Sequence, residues 1–127
     1  MSTLSFDRAG NRIIVTSGGV EVASFVAMNN VDSQSHPWPA GSYPLSHFKT
    51  HPNDAPDSAY GSVGIFVFDV PGHTGLGVHS GRQNVPDGLG RSGPAHCTNG
   101  CVRTTDAAMM SIKETHGADP LTRISIS

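Results

Sequence analysis

Glycine and proline interrupt this chain too often for it to be built from long helices. Fifteen Gly and nine Pro stand among its 127 residues. Gly raises the entropy cost of ordering a helix and Pro removes an amide donor, so both favour turns. The density stays below the level that keeps a chain disordered, and it predicts a mostly β domain with many turns. The length fits a single domain over residues 1–127. Such a chain buries a core without disulfide staples or a structural metal.

The apolar pattern agrees. Leu4 to Arg8, the turn Ala9-Gly10-Asn11 and Arg12 to Ser17 read as a β-hairpin. Gly18-Gly19 turns the chain again, and Val20, Val22, Ser24 and Val26 alternate with Glu21, Ala23 and Phe25 as a third strand. Residues 29–60 are loop-rich, with Asn29-Asn30, Pro37, Pro39, Gly41, Pro44, Pro52 and Pro56. A long irregular stretch in a small domain suits a functional loop. Within it, Pro39 to Leu45 can start a short strand, and Trp38 is expected to cover an edge of the core.

Ser62 to Val70 is a continuous apolar run that predicts a central buried strand. Gly75 to Ser80 predicts the next strand, followed by a second long loop over Gly81 to His96. One helix is expected near residues 105–116, capped by Thr104 or Thr105, with Asp106 in its first turn and Gly117 at its C-terminal cap. Met109 and Ile112 fall on one face of it, and Leu121 to Ser127 alternates as a closing strand. The expected fold is a small β-sandwich with this one main helix.

Charge excludes several function classes. The formal net charge is −2 and no basic run exceeds two residues, so no nucleic-acid partner is expected. No stretch approaches about 18 apolar residues, so no membrane insertion is expected. The opening residues lack a basic region followed by an apolar one. The expectation is a chain that stays in the cytoplasm or leaves without a cleavable signal.

The chemistry concentrates in residues 77–106. His79 ends a predicted strand, a Gly-rich loop follows, Gly100 precedes Cys101, and Arg103 stands just before the helix start. A thiol attacks as thiolate, so it needs a base or a positive surrounding. His79 can serve as the base, and the helix start and Arg103 can supply positive potential. Gly100 leaves room for a carbonyl to approach, where the amides of Gly100 and Cys101 can face a developing oxyanion.

These residues resemble the active-site signature of the L,D-transpeptidases of the YkuD type. That signature is a His, then Ser or Thr, His, Gly and Cys some fifteen to twenty residues on, then a hydrophobic residue and Asn or Arg. Here it reads His79-Ser80, then Thr98-Asn99-Gly100-Cys101-Val102-Arg103, with Gly41 to Leu45 similar to an upstream element. Asn99 departs from that signature in the place of the usual His, and the eighteen residues between His79 and Thr98 stand toward the long end of that gap.

The resemblance implies an L,D-transpeptidase-type β-sandwich and a cysteine acyltransferase acting on peptidoglycan stem peptides in the cell envelope or periplasm. It implies Cys101 as nucleophile, His79 as base, the Ser80 carbonyl orienting the imidazole, and Gly100 and Cys101 as oxyanion donors. Arg103, Thr98 and Asn99 would line the substrate site, with Tyr43 beside them. Apart from the resemblance, Arg82 and Arg91 flank the Gly-rich loop, where each is read either as a contact for a stem-peptide carboxylate or as a solvated loop charge. No cofactor and no metal is implied. Without a visible cleavable signal, the resemblance also admits delivery into other bacteria by secretion machinery, with an immunity protein as a partner.

Two other readings compete. A non-enzymatic envelope-binding or carbohydrate-binding β domain would use Trp38 and Tyr43 as its surface. A zinc or redox site would use His96, Cys97 and Cys101, joined by His79. Cys97 is expected to pack near Cys101 rather than lock it in a disulfide. His36, His47, His51, His73 and His116 are expected in loops or on the surface, Asp87 in a turn and Asp69 at a strand end.

Overall fold

The computed structural model describes residues 1–31, 38–50, 54–72 and 75–127; the expectations for His36, His51 and His73 lie outside them. β1 (Ser2–Asp7) and β2 (Arg12–Ser17) pair antiparallel, from Ser2 opposite Ser17 to Asp7 opposite Arg12. Asn11 closes their turn at φ 52, the left-handed conformation that Asn tolerates better than most residues. Leu4, Phe6, Ile13 and Val15 point into the core at every second position.

β3 (Val20–Val26) pairs antiparallel with β2 and forms one edge of the sheet. Its alternation is as read, but Val20, Val22 and Val26 face solvent while Ala23 and Phe25 pack on the core. β-branched residues favour the extended backbone on either face, so their number on one face does not fix which face is buried.

β4 (Gly41–Lys49) is longer than expected and changes partner along its length. Gly41 to Pro44 pair with β8 (Leu121–Ile126), and Leu45 to Lys49 pair with β5 (Ile65–Phe68). Pro44 sits at the changeover, where it has no N–H to give, and its carbonyl accepts from Asp69 N at 3.0 Å. β5 is shorter than the apolar run. Gly64, at φ 134, ends the extended run before Ile65, yet Val63 and Val70 remain buried beyond its ends.

β6 (Gly77–His79) and β7 (Val102–Arg103) complete one curled sheet in the order β3-β2-β1-β8-β4-β5-β6-β7. The fold is thus mostly β with one main helix, as expected. β1 lies parallel to β8, which sets the first and last strands side by side.

Helix α1 (Asp106–Ala118) begins where the sequence indicates: Thr105 Oγ1 accepts from Ala108 N at 3.1 Å. Ala108, Met109 and Ile112 bury its inner face. Its end differs from expectation. Gly117 lies within the helix, Asp119 N donates to Thr115 O at 2.7 Å, and His116 Nδ1 accepts from Leu121 N at 2.9 Å. A side chain therefore closes the turn into β8, and His116 is half-buried against the ring of Phe66.

Trp38 is completely buried and packs against Tyr43 and Phe68, with ring centroids at 6.1 and 5.8 Å. The Tyr43 hydroxyl donates to Pro39 O at 2.8 Å. Both rings belong to the core, which removes the binding surface that the non-enzymatic reading needed and the substrate contact expected of Tyr43.

Candidate active site

β6 and β7 run parallel, with Val78 opposite Val102 and His79 opposite Arg103. Stepping that register back by one residue sets Cys101 beside Gly77, whose N–H hydrogen-bonds the thiol. Cys101 Sγ also lies 3.9 Å from Gly75 O. The thiol and the imidazole therefore rise from neighbouring strand ends.

His79 is 2% exposed. Its Nδ1 lies 2.7 Å from Ser80 O. A carbonyl only accepts, so Nδ1 carries the proton in the neutral ring and Nε2 is the basic nitrogen. Tyr60 stands edge-on to the ring, with centroids 5.0 Å apart at 87°. The His79 carbonyl accepts from Thr104 N at 2.8 Å.

The turn that carries Cys101 is held from three sides. Thr98 Oγ1 donates to Cys101 O at 2.8 Å and accepts from Gly100 N at 3.3 Å. Asn29 Nδ2 donates to Gly100 O at 2.7 Å and to Cys101 O at 2.8 Å. Thr98 N donates to Asn30 O at 2.7 Å, and Asn30 Nδ2 to Ala95 O at 2.8 Å. The Gly100 amide is thus occupied by Thr98. The Cys101 amide has no hydrogen-bond partner among the described residues.

Arg103 is 4% exposed and spends its guanidinium on backbone. Nη1 donates to Cys97 O at 2.7 Å and His96 O at 2.9 Å, Nη2 to Ala59 O at 3.1 Å, and Nε to Ser80 O at 3.4 Å. Nη1 also lies 3.2 Å from His96 Nδ1. Arg103 is therefore a clamp on three loops, near enough for its charge to act on the thiol. Burial holds its pKa below the ordinary guanidinium value, and the nearby Arg82 adds to that.

A cavity of about 270 Å³ opens among Tyr60, His79, Arg82, Asn99, Cys101 and Arg103. Thr98 also lines it, though only 6% exposed, while Asn99 is exposed. Arg82 is held at φ 53, a strained conformation for a side-chain-bearing residue. It has no ion-pair partner among the described residues. Arg91 does not join this wall. It pairs with Asp87 Oδ2 at 2.8 Å, and that carboxylate also takes the amides of Leu89, Arg91 and Cys97, so Arg91 is spent on holding its loop.

Burial pushes the Cys101 thiol above its ordinary 9.0, and the Gly77 N–H and the Arg103 charge offset this only in part. The resting group is a thiol at neutral pH. The first turn of α1 does not open on this cavity; Thr104, Thr105, Asp106 and Ala107 line a separate one. Burial works to raise Asp106, but hydrogen bonds from the Ser62 hydroxyl, the Ser80 hydroxyl and the Ser62 amide outweigh it and hold the carboxyl below 3.8.

Both cysteines are free. Among the described residues the grouping with metal-ligand chemistry is Asp87, His96 and Cys97, with donor atoms within 4.8 Å of one another. It includes neither Cys101 nor His79. Both Asp87 oxygens are already occupied by Arg91 and backbone amides, and the Arg103 charge stands beside His96. These residues do not fit a cation. A larger cavity of about 590 Å³ is lined by β4 and β5, and His47 faces it rather than the thiol.

No protein-family model matches the sequence, and no curated protein matches it. Solved structures do. One is an L,D-transpeptidase from Xylanimonas cellulosilytica at TM-score 0.63 and 18% identity, covering 99% of this chain and 60% of that one. A second is Bdellovibrio bacteriovorus Bd1075, at TM-score 0.68 and 22% identity, covering 99% and 47%. A third is the LD transpeptidase LdtMt1 in complex with imipenem, at TM-score 0.61 and 18% identity, covering 99% and 58%.

The fold is that of the L,D-transpeptidases. This chain spans about half to three-fifths of the length of the L,D-transpeptidase-fold structures it matches. On that fold the structure brings together Cys101, His79, Ser80, Thr98, Asn99, Arg82 and Arg103, and leaves out Tyr43 and Arg91. Sequence reasoning missed Asn29, which grips the turn carrying Cys101, and Asp106 as a partner of Ser80. The Asn29-Asn30 pair was visible as a polar spot in a loop, but nothing in its spacing named the turn it holds.

Proposed function

We propose that the chain is a cysteine acyltransferase acting on the peptide stems of peptidoglycan, in the cell envelope where that substrate lies. The observation that carries the reading is the shared cavity: a thiol and an oriented imidazole on adjacent parallel strand ends, flanked by two arginines. The L,D-transpeptidase fold supports the substrate class.

Cys101 Sγ attacks a stem-peptide carbonyl while His79 Nε2 takes the thiol proton. The tetrahedral oxyanion faces the Cys101 amide. As the C–N bond breaks, His79 returns the proton to the leaving amine and a thioester remains on Cys101. An acceptor amine, water or a D-amino acid then attacks the thioester and regenerates the thiol. Because the resting group is a thiol, proton removal belongs to the attack itself, as general-base catalysis. Arg82 takes a free carboxylate on the stem, and Arg103 holds the frame and favours the developing thiolate charge.

The test is incubation of wild type and Cys101→Ala with tetrapeptide muropeptides, followed by mass spectrometry. New products are expected from wild type alone; the same products from the variant would sink the mechanism. Imipenem, bound in the LdtMt1 structure, is a second probe, and its adduct is expected on Cys101.

A further inference from the structure

The side chain of Asp106 is not in the Cys101 cavity, yet it ends in contact with the residue that orients the base. Asp106 Oδ1 accepts from Ser80 Oγ and from Ser62 N at 3.3 Å, and Oδ2 accepts from Ser62 Oγ at 2.5 Å. The Ser80 carbonyl in turn accepts from His79 Nδ1 at 2.7 Å. We infer that Asp106 is a positioning residue for His79, acting through Ser80.

The local backbone explains why such an anchor is needed. The peptide that carries the Ser80 carbonyl continues into Gly81, at φ 112. Glycine restricts its neighbouring peptide planes little, so the sequence leaves this carbonyl free to turn. The Ser80 hydroxyl on Asp106 fixes one side of that peptide. On the other, Arg82 N donates to Ser58 O at 3.0 Å. Gly61 packs so closely that a Cβ there would lie 2.0 Å from Ser80 Oγ and 2.7 Å from Asp106 Oδ1. The remaining contact to the Ser80 carbonyl, Arg103 Nε, is long at 3.4 Å. With Asp106 in place, the carbonyl selects the tautomer with the proton on Nδ1 and leaves Nε2 as the base. Without it, the carbonyl swings and both neutral tautomers populate.

The inference rests on the Cys101–His79 reading, so its test is read on the imidazole rather than on turnover. Imidazole nitrogen chemical shifts report the tautomer of His79 and its titration midpoint. Wild type is expected in the Nδ1–H form. Asp106→Ala is expected to mix the tautomers and to move the midpoint to lower pH, because the imidazolium loses its aimed acceptor. Tyr60, Arg82, His96, Cys97, Cys101 and Arg103, the titratable and charged groups that share the cavity with His79 among the described residues, are unchanged in this variant. Ser80→Ala cuts the same link from the other end while keeping the carbonyl, and it is expected to reproduce the result. The double variant is expected to add nothing further.

Thr105→Ala is the control for mere loosening of the helix. It strips the N-cap hydroxyl and is expected to lower the melting temperature without moving the tautomer. Wild-type tautomer and midpoint in folded Asp106→Ala would overturn the inference. If Asp106→Ala does not fold, the same outcome in Ser80→Ala overturns it. Unchanged muropeptide products in Cys101→Ala would instead sink the parent reading while leaving the tautomer result intact.

Discussion

His79 and Arg103 are register partners across the parallel pair β6–β7, and the Ser80 carbonyl takes contacts from both, 2.7 Å from His79 Nδ1 and 3.4 Å from Arg103 Nε. Arg103 also reaches the carbonyls of Ala59, His96 and Cys97. One buried side chain thus ties the strand of His79 to the loops before and after it. Strand register, rather than loop packing alone, sets the separation of thiol and imidazole.

Arg103→Lys is therefore not conservative. A lysine presents one compact ammonium and cannot span four carbonyls that lie around a planar fork. The orphaned carbonyls each lose about 1 kcal/mol, for a total of roughly 2–4 kcal/mol. Urea unfolding is expected to show this as a lower midpoint at unchanged slope. A midpoint equal to that of wild type would mean that the clamp contributes nothing.

The state of the thiol predicts a pH dependence. Burial raises the folded pKa of Cys101 above the ordinary thiol value, so the group rests as the thiol at pH 7. Alkylation by iodoacetamide, followed site by site, is expected to be slower at Cys101 than at a free thiol at pH 7 and to climb as pH passes 9. A plateau reached below pH 8 would show a resting thiolate and contradict the general-base assignment.

Much of this was legible in sequence, and the failures have physical causes. The hairpin, the capped helix and the Gly-Cys-Val-Arg segment are encoded in contiguous runs: alternation, Thr105 before Asp106, and residues 100–103. β7 was not legible, because a strand of two residues has no periodicity to detect. Asn29 and Asp106 reach their partners across separations of 71 and 26 residues, and only folding brings them together. Tyr43 and Arg91 carry suitable chemistry, but burial beside Trp38 and pairing with Asp87 remove them from the cavity. Residue type showed what each could do, not which neighbour would claim it.

Gly61→Ala tests the packing beneath the base. At φ 75 an alanine is strained by about 1–2 kcal/mol. Its Cβ would also press on Ser80 Oγ at 2.0 Å and Gly81 N at 2.9 Å. Overpacking of that kind adds about 1–3 kcal/mol. Gly18→Ala makes the comparison, since φ is 59 there and nothing lies within 4 Å of the added carbon. Chemical denaturation is expected to show a clearly larger loss for Gly61→Ala; equal losses would leave only the backbone term.

Acid stability follows from the carboxylates. Burial acts to raise the Asp87 carboxyl, but the backbone amides of Arg91, Leu89 and Cys97 and the charge of His96 outweigh it and hold it below the ordinary 3.8. Asp106 is held low in the same direction. A carboxyl whose pKa is lower folded than unfolded binds fewer protons in the native state. Its contribution is fully present above the unfolded value and is lost as pH falls through the folded one. The melting temperature is therefore expected to hold between roughly pH 5 and 7 and to fall below about pH 4. Asp87→Asn loses the ionic acceptor at every pH. Its melting temperature should lie below that of wild type at pH 7, and the two curves should converge as acid protonates the native Asp87. A gap that stays constant down to pH 2.5 would mean that the Asp87 charge does not hold the loop against Arg91 and Cys97.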